Sequence, residues 1–179
     1  MSGYLAHLDK EKDDKQLLRD HLHSVAMSTK TRIPPTVEFD DIKNSIIKDR
    51  SYSIGLFHDI GKYSDYFQDY LKHDINHRLK NHAHISACFA YSYMSQNIER
   101  LKDDRANNTL LFLAYLSVRL HHTSLRRDGL FRDAMWDDLE SIGKHISKKG
   151  HDVIRDLHIE NMTYKEFCDF LDIEHLKNN

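Results

Sequence analysis

Apolar residues recur at three- and four-residue intervals along most of the 179-residue chain, which is the spacing of amphipathic helices. The pattern predicts helices over residues 16–30, 40–48, 52–60, 63–71, 81–101, 109–122, 135–148 and 152–159, and a last one opened by the capping pair Thr163 and Glu166. Gly150 is predicted to close the helix before it. Residues 1–14 are polar and predict an opening strand or loop. With only two prolines and six glycines, the expected fold is all-α, a single domain over residues 1–179.

Helical spacing separates two neighbouring histidines of the first predicted helix. His21 falls on the same stripe as Leu18, Leu22 and Val25, whereas His23 lies about 200° around the helix from that stripe. We therefore expect His21 to face inward and His23 to face water. An inward histidine is either hydrogen-bonded within the core or bound to a ligand, and this helix alone leaves both alternatives open.

The most hydrophobic stretch runs from residue 109 to residue 122 and ends in the pair His121 and His122. Because it is apolar on all sides, it is predicted to be the central buried helix. Its carbonyl end carries a partial negative charge, which favours a bound cation beside these histidines. His82 shares a face with Ile85 and Phe89 on the preceding predicted helix, so it is a further inward candidate.

A histidine stands directly beside an aspartate, His58 and Asp59, inside the apolar run 54–60. Burying either side chain without a partner costs about 1–3 kcal/mol. A divalent metal satisfies both, because a neutral imidazole and an ionised carboxylate are good ligands. A hydrogen bond between the two neighbours within a helix is the alternative.

Net charge is −2, so the chain as a whole has no basic field that would attract nucleic acid. Any binding of nucleic acid must therefore rest on a local basic patch. Arg126, Arg127 and Arg132 follow the His121–His122 pair and could contact the phosphates of a single strand. A solvated loop is the alternative interpretation of these arginines.

Two features bear on the compartment. Cys88 and Cys168 belong to no paired-cysteine motif, which indicates reducing surroundings. The sequence has no apolar run of about 18 residues and no signal pattern after Met1. We therefore expect a cytoplasmic protein without a membrane span.

The order of the histidines resembles the HD phosphohydrolase superfamily: a single histidine, a His–Asp pair, a later single histidine and a final pair. The local sequences resemble one family within it, the HD nuclease domain of the CRISPR-associated helicase–nuclease of type I interference. The resemblance covers about residues 4 to 130. The stretches that carry it are Tyr4–His7, Asp20–Ala26, Phe57–Lys62, Phe67–Gln68, Asn81–Ala87 and His121–His122.

This resemblance implies a helical bundle around a histidine-rich two-metal site that cleaves DNA, as an endo- and exodeoxyribonuclease acting on single strands in antiviral defence. It implies an RNA-guided CRISPR surveillance complex and a helicase domain or subunit as partners. A histidine-rich ligand set favours manganese, nickel, cobalt, iron or zinc over magnesium.

Residue roles carry over from the same resemblance. His21, His58 and Asp59 resemble the ligands of the first metal. Asp59 also resembles the residue that bridges the two metals. His82, His121 and His122 resemble the other ligands of the second metal. Asp59 and Lys62 resemble catalytic residues, with Lys62 near the substrate phosphate.

The chain departs from the family pattern in its C-terminal part. The family has one more aspartate in the first metal site, and none of Asp152, Asp156, Asp169 and Asp172 has the expected surroundings. That site is therefore expected to be the weaker one. No helicase phosphate loop is present, so we expect the N-terminal part of a longer nuclease–helicase or a shortened stand-alone form. Two alternatives stay open: an HD-superfamily nucleotide phosphohydrolase, and a catalytically weak HD module that docks on a partner.

Overall fold

Eight α-helices and one small hairpin make up the described part of this computed structural model, residues 3–37, 42–99, 101–122, 136–159 and 162–172, without the side chains of 136 and 137. The hairpin pairs β1 (Leu5–Asp9) with β2 (Asp14–Leu17) in antiparallel register. The all-α prediction is confirmed. The helices are α1 (Leu18–Thr31), α2 (Asn44–Phe57), α3 (Asp65–His73), α4 (Ala83–Asn97), α5 (Asp104–Arg119), α6 (Trp136–Ser147), α7 (Gly150–Leu157) and α8 (Tyr164–Asp169). Short 3-10 turns at Ile60–Tyr63 and Arg78–Lys80 flank α3.

The centre of the bundle is α4, on which every residue from Ile85 to Ala90 is buried. The prediction that the apolar stretch ending at His122 is the central helix is wrong. Helix α5 packs through Leu111 and Val118, but the side chains of Phe112 and Leu113 on its other face are 56% and 51% exposed. A helix with apolar residues on all its faces is therefore not necessarily covered by other helices on all of them.

Three predicted boundaries are also wrong. One continuous helix, α2, replaces the two predicted over residues 40–48 and 52–60, and His58 and Asp59 follow its end instead of lying inside it. Arg50 stabilises the middle of α2, because its buried guanidinium donates to Asn107 Oδ1 at 2.7 Å. Gly150 is the first residue of α7 and does not close α6.

None of the helices in the described ranges is long and apolar enough to cross a membrane.

The C-terminal helices agree with the sequence pattern. Leu139, Ile142 and Ile146 of α6 are buried as expected. Thr163 and Glu166 form the predicted capping box at the start of α8, each accepting from the other's backbone N–H. Phe167 of α8 enters the core against Phe89 of α4. This end of the chain thereby packs against the central helix α4.

Helices α1 and α2 cross at Gly55, where no side chain fits. A Cβ atom on Gly55 would lie 2.6 Å from the Ala26 Cα atom and 2.7 Å from Thr29 Oγ1. The Thr29 hydroxyl donates to the Ser51 carbonyl at 2.8 Å and ties the two helices together beside the crossing. This contact fixes the distance between the helix that carries His21 and the helix that ends at His58.

Gly55→Ala should lower the free energy of unfolding by about 1–3 kcal/mol, because the added methyl group meets backbone that has no room to move. Urea denaturation followed by circular dichroism measures the change. Ser45→Ala, at an exposed position of the same helix, is the matched control and should leave the midpoint nearly unchanged. Equal midpoints for the two variants would contradict the close crossing.

Candidate metal centre

The Asp59 carboxylate lies at the middle of the site. Asp59 follows the C-terminal end of α2 and precedes the turn Ile60–Tyr63, and its side chain is 2% exposed. Its sequence neighbours Phe57 and Ile60 are buried, and a ring of imidazoles faces its carboxylate. A carboxylate so far from water needs hydrogen-bond donors or cations around it.

The Oδ1 atom of Asp59 faces three histidines. His82 Nε2 and His121 Nε2 each lie 2.9 Å from Oδ1. His122 Nε2 lies 3.6 Å from Oδ1 and 3.0 Å from His82 Nε2. His82 comes directly before α4, and the other two histidines follow the C-terminal end of α5, so this half of the site joins two helix ends.

The Oδ2 atom of Asp59 faces the two remaining histidines of the site. His21 Nε2 is 3.2 Å and His58 Nε2 is 3.3 Å from Oδ2, and the two nitrogens are 3.1 Å apart. His21 comes from the first turn of α1, so this half of the site joins the start of α1 to the end of α2. We call Asp59 and the five imidazoles the histidine–aspartate cluster: His21, His58, His82, His121 and His122.

Backbone carbonyls at two helix ends set the orientation of two rings. His58 Nδ1 is 2.7 Å from the Gly55 carbonyl oxygen, and His121 Nδ1 is 2.6 Å from the Val118 carbonyl oxygen. The last carbonyls of a helix lack backbone donors, so the imidazole N–H donates to them. In the neutral ring, the Nε2 atom then carries a lone pair toward Asp59, which is the tautomer of a metal ligand.

The donor set fits divalent metal ions. Lone pairs on neighbouring Nε2 atoms and on the carboxylate repel one another unless a cation lies among them, and five imidazolium rings around one carboxylate would repel as well. Bonds of about 2.0–2.1 Å to one ion separate two ligand atoms by about 2.9–3.3 Å, and most of the separations above fall in that range. Two groups could each hold an ion: Asp59 with His82, His121 and His122, and Asp59 with His21 and His58.

Comparisons with family models, with curated proteins and with solved structures found no match for this chain.

Charge in the cluster favours an ionised Asp59 and a neutral His82. Burial alone raises the pKa of the Asp59 carboxyl, but the imidazoles that face it, His121 foremost, donate to it when they carry a proton on Nε2 and hold that pKa far below its usual range. Burial lowers the pKa of His82 to about 4, against the opposing effect of the Asp59 charge. At neutral pH, His82 therefore offers an unprotonated nitrogen and Asp59 offers both oxygens, as a metal site requires.

Polar groups behind the cluster hold its parts together. The Ser86 hydroxyl accepts from the Gly61 N–H at 3.0 Å and donates to the His82 carbonyl at 2.8 Å. Gly61 approaches so closely that a Cβ atom there would lie 2.6 Å from the same carbonyl oxygen. The turn after Asp59 is thus joined to the first turn of α4, which fixes Asp59 relative to His82.

Gln68 connects the hairpin to the same turn. Its amide nitrogen donates to the Lys62 carbonyl at 2.9 Å and to the Leu5 carbonyl at 3.0 Å, and its amide oxygen accepts from the Leu5 N–H. Gln68 is buried, and it is one of the residues that carry the sequence resemblance. It serves here as a support and does not reach the carboxylate.

The structure brings together all six predicted ligands, from four helices and more than a hundred residues of sequence. Lys62 directs its buried ammonium at Asp59 Oδ2, 2.8 Å away. Its contact with a substrate phosphate stays a prediction. The predicted nucleic-acid contacts Arg126, Arg127 and Arg132 lie outside the described residues.

One other prediction needs correction. His23 does not face water: it is half-buried, and its Nε2 atom is 2.8 Å from the Asp156 carbonyl oxygen on α7. The C-terminal aspartates behave as the sequence predicts, because none of them joins either ligand group in the described ranges. Asp156 accepts from the Tyr63 hydroxyl, and Asp152 pairs with Arg155.

Sequence reasoning missed the carbonyls of Gly55 and Val118, because backbone groups leave no side-chain signal. The available signal was positional: each histidine lies three residues after the carbonyl, just beyond a helical run. Sequence reasoning also missed His7 as a neighbour of the cluster. Its side chain is exposed, and its ring centroid is 5.2 Å from that of His21.

Metal retention should fall as the pH falls, because protons compete with metal for the same Nε2 atoms. An ordinary imidazole takes up a proton near pH 6.5, so most of the loss is expected between about pH 7 and pH 5. His82 should be the last of these ligands to protonate, because its pKa is lowered to about 4. Elemental analysis after dialysis at the two pH values measures retention, and equal metal at both would contradict the ligand assignment.

Proposed function

We propose that this protein is a metal-dependent nuclease that hydrolyses phosphodiester bonds in single-stranded DNA. The observation that carries the proposal is the Asp59 carboxylate, which offers one oxygen to each of two histidine sets. A shared carboxylate suits two ions held close together, as in two-metal phosphodiesterases. When bound, the ions supply Lewis acidity toward the phosphoryl oxygens and acidify an attacking water.

The chain's own residues bind and orient at this centre. The carbonyls of Gly55 and Val118 hold the rings of His58 and His121 so that their Nε2 atoms face Asp59. Four of the five histidines are at least partly buried, whereas the side chain of His122 is 52% exposed. A phosphate of a nucleic-acid strand is therefore expected to approach from the side of His122.

The choice of DNA as substrate rests on the motif resemblance. The series from Tyr4 to His122 supports a place in type I CRISPR interference, beside an RNA-guided surveillance complex and a helicase domain or subunit. Transition metals such as manganese, nickel, cobalt or iron suit the imidazole-rich ligand set better than magnesium does.

Asp59→Asn should reduce manganese-dependent cleavage of single-stranded DNA to background, because the amide keeps the shape of the side chain but removes the charge shared by both ions. His21→Ala should do the same. His23→Ala is the matched control on the same helix, and it should retain cleavage, because His23 contacts the Asp156 carbonyl and not Asp59. Circular dichroism confirms that each variant is folded.

The outcomes separate the competing functions. Loss of cleavage in His23→Ala together with retention in His21→Ala would contradict the assignment of the two histidines. Phosphate release from nucleotides without cleavage of DNA would instead identify a nucleotide phosphohydrolase. Metal binding without turnover of either substrate would identify an HD module that acts by docking.

A further inference from the structure

Lys62 places a buried positive charge against one oxygen of the cluster. Its side chain is 3% exposed, and its ammonium lies 2.8 Å from Asp59 Oδ2. Its other contacts in the described ranges are uncharged: the Ala6 carbonyl oxygen at 3.4 Å and the Phe67 ring, whose centroid is 5.1 Å away. Asp59 is therefore the acidic partner of Lys62 within the described part of the chain.

The ammonium makes the two oxygens of Asp59 unequal. Oδ2 accepts from Lys62 and also faces His21 and His58. Oδ1 faces His82, His121 and, farther off, His122, whereas the contact of the ammonium is with Oδ2. A cation bound by His21 and His58 would thus share the Oδ2 atom with an existing positive charge. Repulsion between buried cations is poorly screened by solvent and salt.

We propose that Lys62 sets an order of metal binding. The set of His82, His121 and His122 with Oδ1 takes the first divalent ion, and the set of His21 and His58 with Oδ2 takes a second ion only at higher concentration. Lys62 is then a tuning residue of the metal centre, a role different from contact with a substrate phosphate. This inference rests on the metal centre of the proposed function but not on DNA cleavage.

Titration of the metal-free protein with manganese, followed by calorimetry in the absence of DNA, tests the order. The unchanged protein should show one tight and one weaker site. Lys62→Met, which keeps much of the side-chain length without the charge, should tighten the weaker site by about tenfold or more. Lys62→Arg keeps the charge and should leave the two affinities apart. If Lys62 only supported the fold, Lys62→Met would weaken both sites instead.

Two ligand variants identify which half binds first. His122→Ala should weaken the tight site, whereas His21→Ala should leave the tight site in place and remove the weaker one. Thermal unfolding confirms that the variants titrated are folded.

Each result decides between the proposals. Equal affinities in the unchanged protein, or an unchanged weaker site in Lys62→Met, would overturn the role of Lys62. Two ions bound in the predicted order without cleavage of DNA would support that role and overturn the nuclease proposal. No manganese binding in any form would overturn both.

Discussion

The negative charge of Asp59 has to be balanced inside the protein, because its carboxylate is almost wholly removed from water. Five imidazoles and one ammonium approach it, from α1, from the ends of α2 and α5, from the start of α4 and from the turn Ile60–Tyr63. Helix ends suit this purpose, since they present backbone groups without partners of their own. The Gly55 and Val118 carbonyls orient two of the ligands for this reason, and the positions of the helices follow from the need to bring these ends together.

Close backbone approaches make that convergence possible. Gly55 lets α1 and α2 touch, and Gly61 lets the turn after Asp59 touch the first turn of α4. A methyl group at either position would push a ligand-bearing element away from the carboxylate. Ser86 and Gln68 then join the turn after Asp59 to its neighbours through hydrogen bonds instead of apolar contacts. The same few small or polar residues thus determine both the packing of the core and the geometry of the cluster.

The ligands could be predicted from sequence because each one stands at a place where a polar group is costly: His21 on an apolar stripe, His58 and Asp59 in an apolar run, and His121 after a hydrophobic helix. Other features depend on partners distant in sequence. The continuity of α2 is supported by Arg50, whose partner Asn107 belongs to α5. The acceptor for His23 belongs to α7, and the exposure of Phe112 depends on how few elements cover α5. Periodicity records which residues are apolar and does not record what lies opposite them.

The separation of the ligands along the chain has a consequence for the order of folding. The cluster draws on residues from His21 to His122, so it exists only after the helices between them have closed long loops and packed. A metal ion held by all six residues would therefore need the folded bundle, and its binding would stabilise that bundle. Without a metal ion, Asp59 carries a buried negative charge. The ammonium of Lys62 compensates this charge, and it is only three residues away in the same turn. The ion pair within this turn therefore offsets the Asp59 charge in the bundle without any metal ion.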